Sequence, residues 1–566
     1  MLSSLNFLAA LVICACLASA DIVGVRADAE TPSEVAVSRL CPDLKSGQIP
    51  SFGEEMRMCW FGHLNSTWTF LNHGSYGAPP LSVILGQEEI QRRARSNPDV
   101  WFRERDGLDG HVNATLDAVS SYLDPSGSNQ LRDSLFLVED ASSGINAVLR
   151  SFPFEKGSRV LTTSLYYPMV KNTLNFLEEH RGIVTDVVQL SFPTTEDAII
   201  EAVSRHLAVS RHLAVSERNE IVYTDSGKAG SKESPPPYAM AVLDHITSFP
   251  AVLMPVFSLV PLLRSHGVGR VLIDGAHTIG QLEPSVVASS MRLSDWYVAN
   301  VHKWLNGAWS AAVLFASETG QASLHPAVIS NFFRQTLAAE FRYVGTRDYA
   351  PIASVAVAVQ TRLAAGDSAW RGYSSDICDK MESHLRAHWS ISDPRPKLQA
   401  PSLRMVGPLP FPFECGGDPS FVMEALRRRN VVAVIQAVGT QPSAQVWLRL
   451  SCQPYNVLED AEVTSRAYDE VVGACTATPI HAIEQREDES TKDFCERFYK
   501  LIGSHDVVGK AAGKTLGDDD KFIQIVRALQ DGLHQAFARF LNGSENWSDV
   551  DTAFDKEISE EAISKL

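Results

Sequence analysis

Residues 270–304 read RVLIDGAHTIGQLEPSVVASSMRLSDWYVANVHKW, and they contain two apolar, strand-like runs that end in charged side chains. The first run ends at Asp274, and Lys303 follows the second run 29 residues later. Taken singly, Asp274 is typical of a helix N-cap or turn and Lys303 of a solvent-facing turn. A lysine is, however, almost never fully buried without a partner or a task. Since both residues end successive strand-like runs, we expect them to face one cleft.

The same alternation extends on both sides of this stretch. Between about residues 70 and 315, short β-rich runs alternate with amphipathic segments such as SSGINAVLRSF and YYPMVKNTLNFLEEH. The strand-like runs cover 135–140, 159–164, 184–191, 240–247, 270–277, 295–302 and 310–317. Strands that alternate with helices indicate βαβ units and a mostly parallel sheet. Ligands of such sheets bind at the carboxyl ends of the strands.

The pattern predicts an α/β fold with several parts. After an N-terminal extension (21–64) comes a large domain (65–349), which contains an insertion at 204–237. The insertion holds a tandem hexapeptide, SRHLAVSRHLAV (204–215), which looks like a short helix lengthened by duplication, and then a loop-like DSGKAGSKESPPP. A smaller α+β domain (350–476) and an acidic helical tail (477–566) complete the chain.

Composition limits the class of protein. The chain has 566 residues, 45% of them hydrophobic and 21% charged, which is typical of folded globular proteins. A formal net charge of −17 and the absence of a basic stripe argue against a nucleic-acid partner.

The N-terminus indicates secretion. Leu5–Leu17 is a short apolar core and Ala18-Ser19-Ala20 a small-residue cleavage pattern, which predicts a signal peptide at 1–20 and no membrane association after its removal. Sequons begin at Asn65, Asn113, Asn542 and Asn546. We therefore expect a glycoprotein of the secretory pathway or the extracellular space.

The cysteines do not form a recognisable scaffold. Once the signal is removed, seven remain, an odd number that is too sparse for a disulfide framework. Cys41 and Cys59 flank a loop and are a candidate pair. No cysteine or histidine cluster has metal-ligand spacing, so no metal is expected.

A third element lies near residue 142. The strand-like run that ends at Val138 is followed by Ser142-Ser143-Gly144 and a helical pattern that begins near Ile145. Small hydroxyl residues at a helix start cap the helix, and its free N–H groups also bind anions. A strand-end carboxylate, a strand-end lysine and a phosphate-binding helix start together suit pyridoxal 5′-phosphate (PLP).

Several ordered motifs resemble the class V aminotransferase family, PLP-dependent enzymes of fold type I, and within it the isopenicillin N epimerase-like branch. They are FLNHGSYGAPP (70–80), SSGINAVLRS (142–151), YYPMVKNTL (166–174), LDHITS (243–248), DGAHTIGQ (274–281), NVHKW (300–304), VGTRDYA (344–350) and LRLSCQPYN (448–456). The resemblance covers about residues 65–475. It implies a seven-stranded-type, mostly parallel sheet in the large domain.

The resemblance also implies roles for individual residues. Lys303 is expected to hold the cofactor aldehyde as a Schiff base, and Asp274 to pair with the pyridinium nitrogen. The other expected cofactor contacts are Ser142, Ser143, Gly144, Asn300 and His302 at the phosphate, Tyr167 stacked on the ring, and Ser248 and His277 near the phenolic oxygen. Thr346 is expected to reach the phosphate of a second subunit, which implies a homodimer with shared active sites.

Substrate groups follow from the same motifs. Arg449 is expected to grip the substrate α-carboxylate as a bidentate fork. Asn72, His73 and Ser75 are expected to line the substrate entrance. Tyr167 is a further candidate for proton transfer near Cα, together with Lys303.

The expected function is PLP-dependent catalysis at Cα or Cβ of an amino acid or amino-acid conjugate, of the epimerase or aminotransferase type, with a small-molecule, amino-acid-like substrate. One alternative is a C–S lyase that acts on a cysteine conjugate or its sulfoxide. A desulfurase is disfavoured, because neither Cys378 nor Cys415 lies in a recognisable catalytic loop. A further alternative is a secreted, non-catalytic binding protein on the same fold.

Overall fold

The apolar runs form strands at nearly the predicted places. In the computed structural model the strands are β1 (Thr69–Phe70), β2 (Leu135–Val138), β3 (Arg159–Thr163), β4 (Val184–Val188), β5 (Leu213–Val215), β6 (Ile221–Tyr223), β7 (Tyr238–Asp244), β8 (Arg270–Asp274), β9 (Trp296–Asn300), β10 (Ala312–Ala316), β11 (Leu403–Val406), β12 (Val431–Val432), β13 (Val434–Val438) and β14 (Gln445–Ser451).

The α-helices follow the same chain order. They are α1 (Glu54–Cys59), α2 (His73–Tyr76), α3 (Leu81–Ser96), α4 (Pro98–Arg103), α5 (Gly110–Leu123), α6 (Ala141–Ser151), α7 (Pro168–Arg181), α8 (Glu196–Ser210), α9 (Val256–Ser265), α10 (Pro284–Leu293), α11 (Glu318–Gln321), α12 (Leu337–Arg342), α13 (Ala350–Ala353), α14 (Val355–Ala364), α15 (Asp367–His388), α16 (Ser420–Arg427) and α17 (Leu458–Ala477). A π-helical turn (Arg105–Asp109) precedes α5, and a 3-10 turn (Arg132–Ser134) precedes β2.

The structure describes residues 49–126, 131–210, 213–215, 221–223, 237–411, 419–439 and 444–477. The predicted signal peptide, Cys41, Cys415 and the tail beyond residue 477 lie outside these ranges, so the predictions made for them stay predictions. No helix in the described ranges is long and apolar enough to cross a membrane.

Seven strands form one sheet in the order β2-β10-β9-β8-β7-β3-β4. β10 runs antiparallel to both of its neighbours, β2 and β9, and the other neighbouring strands are parallel. Every residue of β9 and β10 is buried, as expected where helices cover both faces of a parallel sheet. The prediction of a mostly parallel seven-stranded sheet in an α/β fold is therefore confirmed.

A second, antiparallel sheet has the order β11-β14-β13. Its central strand, β14, carries Arg449, which pairs with Met405 on one side and Val434 on the other. Just beyond β14, Cys452 forms a disulfide with Cys378 of α15, with the two Cα atoms 5.5 Å apart.

The chain divides into two compact units. The first comprises the described residues up to Leu409 together with Asn430–Ser465, and the second comprises Pro410–Arg429 and the residues from Arg466 onward. Within the second unit, the Tyr468 hydroxyl donates to the carbonyl of Pro410 at 3.2 Å, and Arg429 pairs with Glu470 at 3.1 Å. Both large sheets and the cavity described below belong to the first unit.

The duplicated hexapeptide differs from its prediction. The first copy, 204–209, continues helix α8, but the helix ends at Ser210 and residues Leu213–Val215 of the second copy form β5. The expectation of a helix lengthened by duplication is thus wrong for the second copy. β5 pairs antiparallel with β6, which supplies backbone partners that a continued helix would not need.

Candidate active site

Lys303 lies in the loop that joins β9 to β10, at the carboxyl edge of the sheet. Asp274 ends the neighbouring strand β8 and is paired in register with Val298 of β9, so the two predicted charged residues do face one cleft. Burial lowers the pKa of Lys303 to about 8, while the nearby carboxylate of Asp274 opposes that shift. The amine therefore loses its proton more readily than an ordinary lysine does, as a nucleophilic lysine requires.

The backbone of this loop is held in place by contacts with His73 and Gly77. The ring of His73 is fully buried, its Nε2 donates to the carbonyl of Lys303 at 2.7 Å, and its Nδ1 accepts from the hydroxyl of Tyr455 at 2.9 Å. Burial lowers the pKa of His73 to about 3, so the ring is neutral. Gly77 also abuts the loop, because a Cβ there would lie 1.8 Å from the carbonyl oxygen of His302.

A chain of three side chains fixes the environment of the amine. The indole Nε1 of Trp304 donates to Nδ1 of His277 at 3.1 Å, and Nε2 of His277 lies 3.3 Å from Nζ of Lys303. Burial, with the charge of Lys303, holds the pKa of His277 well below its usual range. An indole N–H can only donate, so the hydrogen-bond network assigns the proton of neutral His277 to Nε2. Nε2–H can then bond only to an uncharged amine.

Two buried carboxyl groups lie side by side at this edge. Asp244 ends β7 and is in register with Asp274. Burial and the charge of Asp274 raise the pKa of Asp244 well above its usual range, and burial also raises the pKa of Asp274. The N–H of Ala276 donates to Asp274 at 2.9 Å, and Lys303 favours its ionised form, so the shared negative charge belongs on Asp274.

Helix α6 points its N-terminus toward the same cavity. The N–H of Ala141 donates to Oδ1 of Asn300 at 2.8 Å, and the N–H of Ser143 donates to Oδ1 of Asp140 at 2.7 Å. The helix thus begins at Ala141 rather than near Ile145, and Asp140 is its N-cap. Ser142, in the first turn, lines the cavity, at the end of the helix that attracts anions.

Arg449 is a buried cation with neutral partners. It donates from Nη1 to the carbonyl of Ser248 at 2.9 Å, and from Nη2 to Asn72 Oδ1 and Ser75 Oγ, both at 2.8 Å. Within the described residues its Nε has no hydrogen-bond partner. Burial lowers its pKa to about 10. A buried guanidinium of this kind fits an anionic ligand.

The cavity has a volume of about 850 Å³. The predicted residues that line it are Ser75, Ser142, Tyr167, Ser248, Asp274, His277, Asn300, His302 and Lys303. Arg449 and Asn72 adjoin it through their bonds to Ser75.

Besides Arg449 and Asn72, four predicted residues do not line the cavity of this chain: His73, Ser143, Gly144 and Thr346. His73 does not line an entrance, and its ring instead donates a hydrogen bond to the backbone of the loop that carries Lys303. Gly144 packs closely on β9, since a Cβ there would lie 2.7 Å from Cγ1 of Val298. Thr346 is exposed, and its hydroxyl lies 3.0 Å from that of Tyr343.

Three functional residues were missed in the sequence. Asp140 precedes the first turn of α6 by one residue, which is a recognisable capping signal. Asp244, in LDHITS, ends a strand as Asp274 does, and could have been found by the same criterion. Trp304 directly follows the lysine, but its contact with His277 joins two loops and leaves no signal in the spacing.

The comparisons with known proteins agree with this geometry. The chain is 26% identical over 420 residues to a probable chloroplastic L-cysteine desulfhydrase of Arabidopsis thaliana, a match that covers 71% of this chain and 82% of the relative. It is 24% identical over 266 residues to a hercynylcysteine sulfoxide lyase of Schizosaccharomyces pombe, covering 47% and 58% respectively. No family model matches the chain.

Among solved structures, the cystine C–S lyase C-DES superposes with a TM-score of 0.55 at 14% identity, covering 72% of this chain and 99% of that one. A variant of the same lyase carries glycine covalently linked to its PLP cofactor, at a TM-score of 0.55 and 16% identity, covering 73% and 99%. At this identity the match shows a shared fold.

Together these findings confirm the resemblance to the class V aminotransferase-like family and the predicted cofactor, PLP. The residues present fit that cofactor: a buried lysine with a lowered pKa, a strand-end carboxylate beside it, and the N-terminus of α6 at the cavity. The chain is a PLP-dependent enzyme that acts at Cα or Cβ of an amino acid or amino-acid conjugate.

Proposed function

We propose that the chain is a PLP-dependent C–S lyase that acts on a cysteine conjugate. One observation carries this proposal: Arg449, whose hydrogen-bond partners are neutral, adjoins the cavity that Lys303 lines, in a chain whose relatives are named for C–S cleavage. This was the alternative to the epimerase or aminotransferase type expected from the sequence.

The residues of this chain have distinct tasks in the proposed reaction. Arg449 binds the α-carboxylate and so fixes the Cα–H bond near Lys303. Bound PLP supplies an electron sink for the charge released at Cα. The amine of Lys303, uncharged in part because its pKa is near 8, takes the Cα proton. Asp274 carries the negative charge that keeps the cofactor ring protonated.

Cleavage of the C–S bond needs little further assistance from the protein. A thiol has an ordinary pKa near 8.5, so a thiolate is already a good leaving group near neutral pH. No cysteine lines the cavity in the described part of the chain, which supports a lyase over a persulfide-forming desulfurase. Cys415, named earlier in this connection, lies outside the described residues.

The proposal is tested with purified holoenzyme and a panel of L-cysteine, S-substituted cysteines and their sulfoxides. Equal amounts of thiol (or sulfenate from a sulfoxide), pyruvate and ammonia support the lyase. Exchange of the Cα proton without release of thiol or pyruvate indicates an epimerase. Formation of a keto acid only in the presence of an amino acceptor indicates an aminotransferase. Either of these two results would reject the lyase.

Lys303→Ala provides the control for the site. The wild-type protein should absorb near 420 nm, about where a lysine-bound PLP is expected, and borohydride should bleach this band and fix the cofactor to residue 303. The variant should lose that linkage and about 10⁴-fold in turnover. Retention of a borohydride-reducible lysine linkage in the variant would remove Lys303 from its assigned role.

We further propose that the enzyme is a homodimer in which Thr346 of each subunit serves the other subunit's site. Its exposed position outside its own cavity supports this arrangement. Lys303→Ala and Thr346→Ala variants, each weakly active alone, should regain activity when mixed and reassembled, because one site of the hybrid is intact. No recovery in a mixture shown to contain hybrids would count against sharing.

We also propose that the protein enters the secretory pathway. Support comes from the N-terminal pattern of the sequence, the exposed side chains of Asn65 and Asn113, and the Cys378–Cys452 disulfide, which is typical of oxidising compartments. Expression in a eukaryotic host should yield secreted protein whose mobility shifts on enzymatic deglycosylation. Retention of the full-length chain inside the cell would contradict this proposal.

A further inference from the structure

The cavity extends beyond the groups needed for the reaction. Part of its wall is apolar and aromatic, and is formed by Leu64, Phe70, Tyr76, Pro79, Ile84 and Trp309. Neither the cofactor phosphate nor a substrate carboxylate has a use for these side chains. They form what we call the aromatic wall.

Segment Ser75–Gly77 connects the aromatic wall to Arg449, the residue proposed to bind the substrate carboxylate. Ser75 accepts from Arg449 at one end, and the carbonyl of Gly77 accepts from the indole Nε1 of Trp309 at 3.4 Å at the other. Two residues of chain span at most about 7 Å. Arg449 and Trp309 therefore bind neighbouring points of one short segment, close enough for one small molecule to reach both.

The volume of the cavity supports a large substrate. Even at about 30 Å³ per non-hydrogen atom, the loose packing of liquid water, PLP and a free cysteine together would fill roughly 700 Å³. The cavity holds about 850 Å³. The difference leaves room for a substituent on the sulfur.

Two members of the wall are unusually exposed for their type. The side chains of Tyr76 and Trp309 are 70% and 64% exposed, although both line the cavity. Aromatic rings with this much free surface gain substantially from covering by another apolar or aromatic group. The indole of Trp309 is also anchored through its hydrogen bond to Gly77, so its face is pre-oriented.

We infer that the enzyme selects cysteine conjugates whose sulfur carries an aromatic or bulky apolar group, in preference to free cysteine, and that Trp309 and Tyr76 bind this group. The inference rests on the proposed lyase function and names its substrate class. The reaction is R–S–CH₂–CH(NH₃⁺)–COO⁻ plus water to R–SH, pyruvate and NH₄⁺. The C–S bond breaks with its electron pair on sulfur, which takes a proton, and no oxidant or reductant is needed.

The test compares kcat/KM for S-benzyl-L-cysteine and S-methyl-L-cysteine. We expect the wild-type ratio to favour the benzyl conjugate by about tenfold or more, the discrimination that one apolar pocket supplies. Trp309→Ala and Tyr76→Ala should each bring the ratio close to one. Trp68→Ala is the matched control, since Trp68 is also exposed, at 38%, but does not line the cavity, and its ratio should stay at the wild-type value.

A binding measurement gives a readout that is independent of turnover. 3-(Benzylthio)propanoate and 3-(methylthio)propanoate lack the amine and cannot react, so their affinities for the holoenzyme can be measured by calorimetry. We expect the benzyl compound to bind about tenfold more tightly, and Trp309→Ala to remove the difference.

The outcomes separate the two proposals. If thiol is released equally well from methyl and benzyl conjugates, or best from free cysteine, the lyase stands and the selectivity inference is overturned. If no conjugate releases thiol while the benzyl acid still binds through Trp309, the lyase fails and the aromatic wall as an apolar-ligand site stands. If Trp309→Ala and Tyr76→Ala dissociate a dimer without altering the ratio, these rings belong to an interface between copies and the inference is overturned.

Discussion

Lys303 is a buried amine whose surroundings make it easier to deprotonate than an ordinary lysine. Burial disfavours its charge, and the Nε2–H of His277, aligned by the indole of Trp304, can bond only to the uncharged form. Asp274 acts in the opposite direction. Trp304 does not line the cavity, so it is a positioning residue whose effect reaches Lys303 through His277.

Trp304→Phe removes the indole N–H and keeps an aromatic ring. Nδ1 of His277 then loses its donor, and the tautomer with Nε2 as acceptor, which favours the ammonium of Lys303, becomes accessible. One hydrogen bond of about 1 kcal/mol should raise the pKa of Lys303 by roughly 0.7 unit. The rate of PLP incorporation into cofactor-free enzyme rises with pH as the amine deprotonates, so its midpoint should move to higher pH. Stopped-flow absorption at a series of pH values measures it.

Trp296→Phe is the matched control for this experiment. Trp296 is as buried as Trp304 and also donates from its indole, to the carbonyl of Gly320 at 3.0 Å. Its removal should cost stability without moving the midpoint. A midpoint unchanged in Trp304→Phe, or shifted equally in both variants, would show that the tautomer of His277 does not govern Lys303.

At the level of elements, the register of β7, β8 and β9 and the start of α6 assemble the site. Gly144 allows α6 to lie against β9, because a Cβ at this position would fall 2.7 Å from Cγ1 of Val298. The phosphate contact of Gly144 stays a prediction. Its close packing on β9 sets the place of the N–H groups in the turn before it.

Gly144→Ala should therefore displace the start of α6. We expect a loss of about 1–3 kcal/mol in the free energy of unfolding, as for other overpacked sites, together with weaker binding of PLP. Chemical denaturation and cofactor titration measure the two effects. Gly372→Ala in α15 is the control: nothing lies within 4 Å of a Cβ there, and alanine should stabilise the helix by about 0.5–1 kcal/mol. Equal behaviour of both variants would rule out the packing explanation.

The strands were the part of the structure that the sequence revealed best. Buried strands are short, continuous apolar runs, and those before Asp274 and Lys303 are of this kind, so their ends could be located to within a few residues. The helix begins about four residues before its predicted start, because serine and aspartate are both common caps and the structure uses Asp140. The positions of His73 and Trp304 depend on contacts over 230 and 27 residues of chain, which no local pattern encodes.

On the scale of the whole molecule, the Cys378–Cys452 disulfide closes a separation of 74 residues. It joins α15 to the chain just after β14, three residues beyond Arg449. The disulfide thus restrains the unfolded chain, and it also fixes the end of strand β14, which carries Arg449.

The Cys378→Ala/Cys452→Ala double variant should lose about 2–4 kcal/mol in the free energy of unfolding, since its unfolded state is less restricted. The midpoint of thermal unfolding should fall accordingly, and a reducing agent should lower the midpoint of the wild type more than that of the variant, which keeps the disulfide-bonded Cys59. A wild-type midpoint that does not respond to complete reduction, verified by thiol titration, would show that the bridge does not stabilise the fold.

The duplicated hexapeptide has a consequence for how this chain can change. Identical residues are helical in the first copy and partly extended in the second. Their conformation is therefore set by the surrounding structure and not by their local sequence. β7 takes its register from β3 and β8, which is independent of the number of residues before it. Insertions and deletions in segment 210–215 can accordingly be accepted in evolution without compensating substitutions in the core. An epitope tag could be inserted at the same place.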